Sequence, residues 1–420
     1  MELMYQNVVE MMDRCCEEYA DLPMYGAPVD GDYNWMTFRD FAKTVAELRG
    51  GLDLLGVGVG DRVGIISNNM IPWATMAYAT FSAGAVYVPM YTQQNKEQWQ
   101  YILNDSGCKV LLVASERLYH EALTWRGELL PELQHVVLLS DSEDSEIKTY
   151  GGLRNNGQQR PVPAQYPDTG ALLEIMYTSG TTGNPKGVML SHLGVISTLQ
   201  AAKDSIPFHK SDRTLAFLPW AHIFGQICEV HGVMMFGFSA AMNENLAKLV
   251  DELGQVRPTL LFAVPRVYNR IYEKLHLQIH NKSPKLYSLF QYGLTCSAKR
   301  RHGEKLSIKE ALAFKLCDKL FFSKVRARLG NRLRMAYSGG SALNPAVIEF
   351  VQNIGVTLLE AYGLTEAIVS ANSPDFQKTG AVGKPLPGVR VEIDRSVTMA
   401  NEQDGEIIIY GATMMLGYYN

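Results

Sequence analysis

The residues best suited to chemistry lie in Tyr177-Thr-Ser-Gly-Thr-Thr-Gly-Asn-Pro-Lys-Gly187, directly after the strand-like run ALLEIM. Gly180 and Gly183 let the backbone curl and approach a ligand closely. Successive backbone N–H groups and the hydroxyls of Thr178, Ser179, Thr181 and Thr182 can all donate to phosphate oxygens. Lys186 adds a mobile positive charge. A Ser/Gly linker would account for the glycines, but not for a Lys set behind Pro185 with strand-like sequence on both sides. The Walker A loop is the sharper rival, and it requires Gly, four residues, then Gly-Lys-Ser/Thr. Counted from Gly180, the second Gly position holds Pro185, and Gly187 follows the lysine. This is a phosphate loop of another type.

The stretch from Ile175 to Lys186 resembles the signature of the adenylate-forming superfamily: acyl-CoA synthetases, peptide-synthetase adenylation domains and beetle luciferases. Every restricted position is filled. The resemblance implies that Thr178 through Gly183, with Lys186, bind the phosphates of ATP. Downstream, Leu358-Leu-Glu-Ala-Tyr-Gly-Leu-Thr-Glu-Ala367 is similar to the family's second ATP motif. It adds Glu360, Ala361, Tyr362, Gly363, Leu364 and Thr365 to the nucleotide site. An aromatic face can stack on a purine, which suits Tyr362 to adenine. Thr365 offers a hydroxyl to the α-phosphate, and Glu366 a hard oxygen to Mg²⁺. Alone, YGLTEA reads as any strand-to-helix turn. Its place about 180 residues after the phosphate loop, as in the family, gives it weight.

Two further motifs carry over. Ser338-Gly-Gly-Ser-Ala342 resembles a Gly-rich turn that walls the adenine and acyl pocket, so Gly339, Gly340, Ser341 and Ala342 join the site, Gly340 for the acid as well. Taken by itself it is a tight structural turn. Phe217-Leu-Pro-Trp-Ala-His-Ile-Phe-Gly225 is similar to the motif whose His or aromatic side chain lies beside the substrate carboxylate. His222 is then expected to orient the acid and contact the phosphoryl region, the plainer reading being a hydrogen-bonded core histidine. The motifs near Gly383 and Gly405 continue the family pattern as structural turns and strands.

The elements that must hold these residues follow from the alternation of short apolar runs with helical stretches. RVGIIS, AVYVPM, KVLLV, HVVLLS, TLLFAV and RMAYSGG read as buried strands, which predicts α/β layers with mainly parallel sheets. The expected organisation is two αβα subdomains, residues 1–160 and 168–375, then part of a small antiparallel, barrel-like β unit at 376–420. Residues 141–167, acidic and then rich in Asn, Gln, Gly and Pro, read as a surface connection. Residues 270–328 are nearly all helical in pattern. An apolar tunnel is expected to run from the Gly340 region between the helices that follow His222 and precede Arg270.

Composition bounds the rest. The chain has 420 residues, 47% hydrophobic and 20% charged, with a net charge of −4. That is globular, and gives no electrostatic reason to expect nucleic acid. Lys and Arg cluster at 299–334 with acids interleaved, first a solvated helical surface and second a membrane-surface or anionic-ligand contact. Six scattered cysteines without metal spacing read as reduced thiols of a cytosolic protein. The N-terminus lacks the basic and apolar regions of a signal peptide. No charge occurs between Arg62 and Lys96, but Ser67, Asn68, Asn69, Pro72, Gly84 and Pro89 divide that run, so an integral span is not expected.

The resemblance spans nearly the whole chain, and most closely the long-chain fatty acyl-CoA synthetases through LPWAHIFGQ, PRVYNRIYEKL and the helical 270–328 region. It implies attack of a fatty acid carboxylate on the α-phosphorus of ATP, with Mg²⁺, followed by attack of coenzyme A on the acyl-adenylate. Beyond the GYYN position the family continues into a ribose-gripping TGD segment, a hinge and a small C-terminal domain with an assisting Lys. None of these falls within the 420 residues, so impaired activity is expected of this stretch alone. Two alternatives stand beside this one: a fatty acyl-AMP ligase serving a carrier protein, and a non-catalytic nucleotide- or acyl-binding module.

Overall fold

The computed structural model describes residues 3–178, 183–397 and 404–420. Its largest sheet has seven strands. Leu172–Thr178, Val86–Met90, Arg62–Ile66, Cys108–Val113 and His135–Leu138 run parallel in that spatial order. Lys186–Ser191 and Gly417–Tyr419 extend it antiparallel beyond Leu172–Thr178. A five-stranded sheet begins with parallel Leu260–Ala263, Met335–Ser338 and Thr357–Gly363, and ends antiparallel with Ile368–Ala371 and Lys384–Pro385. Every residue of Val86–Met90 and of Leu260–Ala263 is buried, as strands covered on both faces require. The fold class expected from the alternation of elements is the one observed.

The sheets do not divide the chain where its composition does. The phosphate-loop strand Leu172–Thr178 pairs with Val86–Met90, so the boundary expected near residue 160 falls inside one sheet. A four-stranded sheet likewise joins Pro23–Val29 and Asp32–Thr37 to Arg213–Ala216 and Ser239–Met242. Residues 376–420 are shared out in the same way. Lys384–Pro385 closes the five-stranded sheet, Val389–Asp394 and Glu406–Gly411 form a hairpin, and Gly417–Tyr419 joins the large sheet. Hydrophobic periodicity shows which runs are strands but not which partners they take, and here the partners are remote.

Residues 141–167 are more than a surface connection. They contain the helix Tyr150–Gln158, which packs backbone to backbone on the helix Phe38–Leu54. A Cβ on Gly157 would lie 1.9 Å from the Glu47 carbonyl oxygen, and one on Gly50 2.3 Å from that of Arg160. The glycines that resemble linker composition are what allow this contact. Residues 270–328 are helical as expected: Pro265–Lys282, Pro284–Arg301 and Ile308–Cys317, then a π-turn Asp318–Phe322 leading into Ser323–Arg328. Each of the first two opens on a proline within its first turn, where the missing N–H costs nothing. Among the described residues no helix is long and apolar enough to cross a membrane. All six cysteines are free thiols.

Candidate active site

Leu172–Thr178 and Lys186–Ser191 form an antiparallel hairpin in which Thr178 faces Lys186. The candidates Ser179, Gly180, Thr181 and Thr182 lie outside the described residues. Lys186 is exposed, with its ammonium 5.0 Å from the centre of the Tyr418 ring. The Tyr418 hydroxyl donates to Glu366 Oε1 at 2.9 Å. That bond raises the phenol's pKa, since ionisation would set a phenolate against a carboxylate. Tyr418 arrives there because Gly417–Tyr419 pairs alongside Lys186–Ser191. One tyrosine thus links the lysine of the first motif to the carboxylate of the second.

Thr365 and Glu366 form the two-residue tip of a hairpin. The Leu364 N–H donates to the Ala367 carbonyl at 2.8 Å, and the Ala367 N–H to that of Leu364 at 3.2 Å. The motif, which taken alone reads as a strand-to-helix turn, joins Thr357–Gly363 to Ile368–Ala371, strand to strand. The Met415 N–H holds the tip by donating to the Glu366 carbonyl at 2.8 Å. Tyr362 and Gly363 are half-buried just before it, and Leu364 is exposed. Glu360 is buried and accepts from the Leu343 N–H at 3.3 Å. Burial pushes its carboxyl above the usual range. Its visible role is to brace the Gly-rich turn.

In that turn Gly340 has φ of +83°, which favours glycine. A Cβ on Gly339 would approach the Phe224 ring to 3.2 Å, so the turn and the His222 segment are in close packing. Ser341 and Ala342 are exposed. His222 caps the short helix Ile223–Gln226, its Nδ1 accepting from the Phe224 N–H at 3.1 Å. The protein packed around it lowers the imidazole pKa by desolvation, although its edge is open to solvent. With Nδ1 an acceptor and the ring neutral, the proton sits on Nε2. His222 therefore presents a neutral N–H donor.

Two supports hold His222 in place. The buried Trp220 stacks edge-on against Trp73, with centroids 5.5 Å apart. The Asn69 side chain accepts from the Trp220 N–H at 2.9 Å and donates to the Leu218 carbonyl at 2.7 Å. After His222 the helix loosens into a π-turn, Ile227–His231, a feature frequent at functional sites. Gln226, before that turn, donates to Glu174 on the phosphate-loop strand at 2.7 Å.

Beside these motifs opens a cleft of about 1060 Å³ walled by Leu218, Leu261, Val264, Val267, Ile271 and Val325. Arg266, Arg270, Lys274 and Arg328 also line it. Val264 is the nearest neighbour of a Cβ placed on Gly340, at 3.7 Å, so the cleft adjoins the Gly-rich turn. It runs between the helices Leu249–Val256 and Pro265–Lys282. Among the described residues no three His, Cys, Asp or Glu side chains cluster to hold a metal ion. Glu366, a single carboxylate at a half-buried tip, fits Mg²⁺ of the kind held by one or two carboxylates plus substrate phosphates and water.

Lys186 and Glu366 thus meet through Tyr418, with Thr365 on the same hairpin tip, and the His222 segment packs on the Gly-rich turn through Phe224. Tyr418, Asn69 and the Glu174–Gln226 pair were not legible as site residues. Tyr418 sits in a recognisable GYYN pattern, but nothing in that pattern says which lysine its ring will meet.

A sequence profile of AMP-binding enzymes matches residues 12–419. Long chain acyl-CoA synthetase 6, peroxisomal, of Arabidopsis thaliana is 31% identical over 93% of this chain and 57% of its own length. A long-chain-fatty-acid–CoA ligase of Mycobacterium bovis is 29% identical over 99% of this chain and 69% of its own. The chain therefore spans a little over half the length of the plant relative. The solved N-terminal domain of FACL13 from Mycobacterium tuberculosis superposes with a TM-score of 0.73 at 20% identity, covering 99% of this chain and 92% of that one. An anthranilate CoA ligase with bound anthranoyl-AMP gives 0.75 at 22% identity, covering 100% and 72%.

Proposed function

The chain belongs to the AMP-binding enzyme family, and on that footing we propose that it activates a long- or medium-chain fatty acid with ATP, for transfer to coenzyme A. The observation that carries this reading is the junction of Lys186, Tyr418 and Glu366, in a chain whose Gly-rich turn adjoins an apolar cleft. The cleft takes the alkyl chain, and the Gly-rich turn at Gly340 marks where the carboxylate emerges. His222 Nε2–H steadies that carboxylate as it attacks the α-phosphorus in line, pyrophosphate leaving from the far side. Lys186 and the loop donors hold the β- and γ-phosphates, Thr365 the α-phosphate, and Tyr362 the adenine.

No group on the protein becomes covalently attached in this step. The chain must bring two anions together, so its work is positioning and electrostatic stabilisation. Mg²⁺ at Glu366 would supply further charge neutralisation at the phosphates. The acyl-adenylate then yields its acyl group to the thiolate of coenzyme A, releasing AMP.

Acid-dependent exchange of labelled pyrophosphate into ATP tests the reading directly. Exchange that requires a fatty acid supports it. ATP binding without exchange, under any acid, would make the protein a nucleotide-binding module instead.

A further inference from the structure

We infer that the exposed face of the helix Ile308–Cys317 is a docking surface for an anionic lipid bilayer. Ile308, Leu312 and Leu316 are 83%, 63% and 47% exposed. Spaced four apart, they stack as one apolar ridge pointing away from the protein. Bulky aliphatic groups left this open in a continuous ridge mark an interaction surface, where isolated ones would not.

The charges around the ridge identify the partner. At 100° per residue, Lys309 and Lys315 lie about 60° to either side of its centre, and Glu310 about 160° away. Both lysines are exposed, as are Lys305 before the helix and Lys319 after it. None of the four makes an ion pair among the described residues, whereas two of the three acids nearby are taken up and the third, Glu304, is exposed. Glu310 pairs with Lys299 at 2.6 Å, and Asp318 with Arg326 at 2.8 Å. From residue 299 to 328 there are ten Lys and Arg against three acids, in a chain of net charge −4. An apolar ridge framed by free lysines is the pattern of a helix lying in a membrane interface, its ammonium groups reaching anionic headgroups. A second copy of this chain would bring the same lysines against each other.

Continuity with the cleft supports the assignment. The helical run that begins at Ile308 continues through Asp318–Phe322 into Ser323–Arg328, whose Val325 and Arg328 line the cleft. Leu316 and Val325 are nine residues apart, roughly 14 Å along a helix. A bilayer seated on the ridge would lie close to the apolar cavity, so a lipid-dissolved acid could enter with a short exposure to water. The docking itself does not depend on that use of the cleft.

The test is co-sedimentation of the 420-residue chain with vesicles of phosphatidylcholine, with and without phosphatidylglycerol. The wild type should sediment with the anionic vesicles at low salt and be released as salt rises. Leu312→Glu should lower the bound fraction at least tenfold, and Lys309→Glu with Lys315→Glu should do the same by charge alone. These positions are exposed, so melting temperatures should hold. Leu129→Glu, at an exposed leucine elsewhere, should bind as the wild type does. Wild-type failure to bind, equal binding to neutral vesicles, or unchanged binding by both ridge variants would overturn the assignment. Self-association abolished by Leu312→Glu, without vesicle binding, would also overturn it and give the face to a second copy.

Discussion

The side-chain amide of Gln226 donates to the Glu174 carboxyl at 2.7 Å, with both residues shut away from water. Glu174 lies four residues before Thr178 on the phosphate-loop strand, and Gln226 four residues after His222. Burial pushes the Glu174 carboxyl up to about 8, so it is largely neutral at physiological pH. Among the described residues, Glu174 Oε1 and Gln226 Oε1 both lack a partner. A single proton on the carboxyl is the natural supplement to two neighbouring acceptors.

The sign of the pH effect follows. A carboxyl whose folded pKa is raised from 4.5 to about 8 binds its proton more tightly when folded. Its contribution is complete below pH 4.5 and is lost as pH rises to about 8. Glu174→Gln keeps the shape and supplies a permanent N–H. The variant's melting temperature should gain on the wild type from pH 5 to 8 and then level off. A constant difference across that range would show that Glu174 is ionised in the folded state.

Removal of Lys186 or Glu366 should abolish the thermal shift produced by ATP with Mg²⁺. At ligand a hundredfold above Kd the wild-type stabilisation is about 2.7 kcal/mol, comfortably measurable. Tyr418→Phe should be milder, because the ring under Lys186 remains and only the bond to Glu366 goes. A shift unchanged in both Lys186→Ala and Glu366→Ala would remove these motifs from the nucleotide site.

His222 can be separated from its capping role. His222→Ala should lose about 1 kcal/mol of stability with the cap. His222→Asn retains an acceptor for the Phe224 N–H but cannot reach as far with its own donor. Pyrophosphate exchange should fall roughly a hundredfold in both variants, while the melting temperature falls only in the alanine one. Full exchange by His222→Asn would leave His222 a cap and nothing more.

Binding of the acid should strengthen with chain length by about 0.8 kcal/mol per buried methylene until the cleft is filled. Ile271→Trp, which narrows the cleft, should shift the preference to shorter acids without weakening the shortest. A preference for aromatic acids over long alkyl chains would point to an aryl substrate.

The motifs were legible in the sequence and the assembly was not. Lys186, Thr365 and Glu366 stand out because few structures other than a phosphate site need Thr, Gly and Lys so spaced. Strand and helix identities follow from apolar runs and proline positions, which are local. The pairing of Leu172–Thr178 with Val86–Met90, the placing of Tyr418 and the Glu174–Gln226 contact all join remote positions. No periodicity encodes such contacts. Composition also misled at Gly157, where a linker-like residue is demanded by two helices in backbone contact.

The pairing of Gly417–Tyr419 with Lys186–Ser191 sets a schedule for synthesis. Until residue 417 emerges from the ribosome, Lys186–Ser191 remains an open sheet edge, its N–H and C=O groups free to recruit a strand from another chain. At 5–20 residues per second, the 226 positions from 191 to 417 take roughly 10–45 s to translate. Every newborn copy spends that interval with the lysine strand uncapped, and slow translation or crowded polysomes would turn it into a window for misassembly.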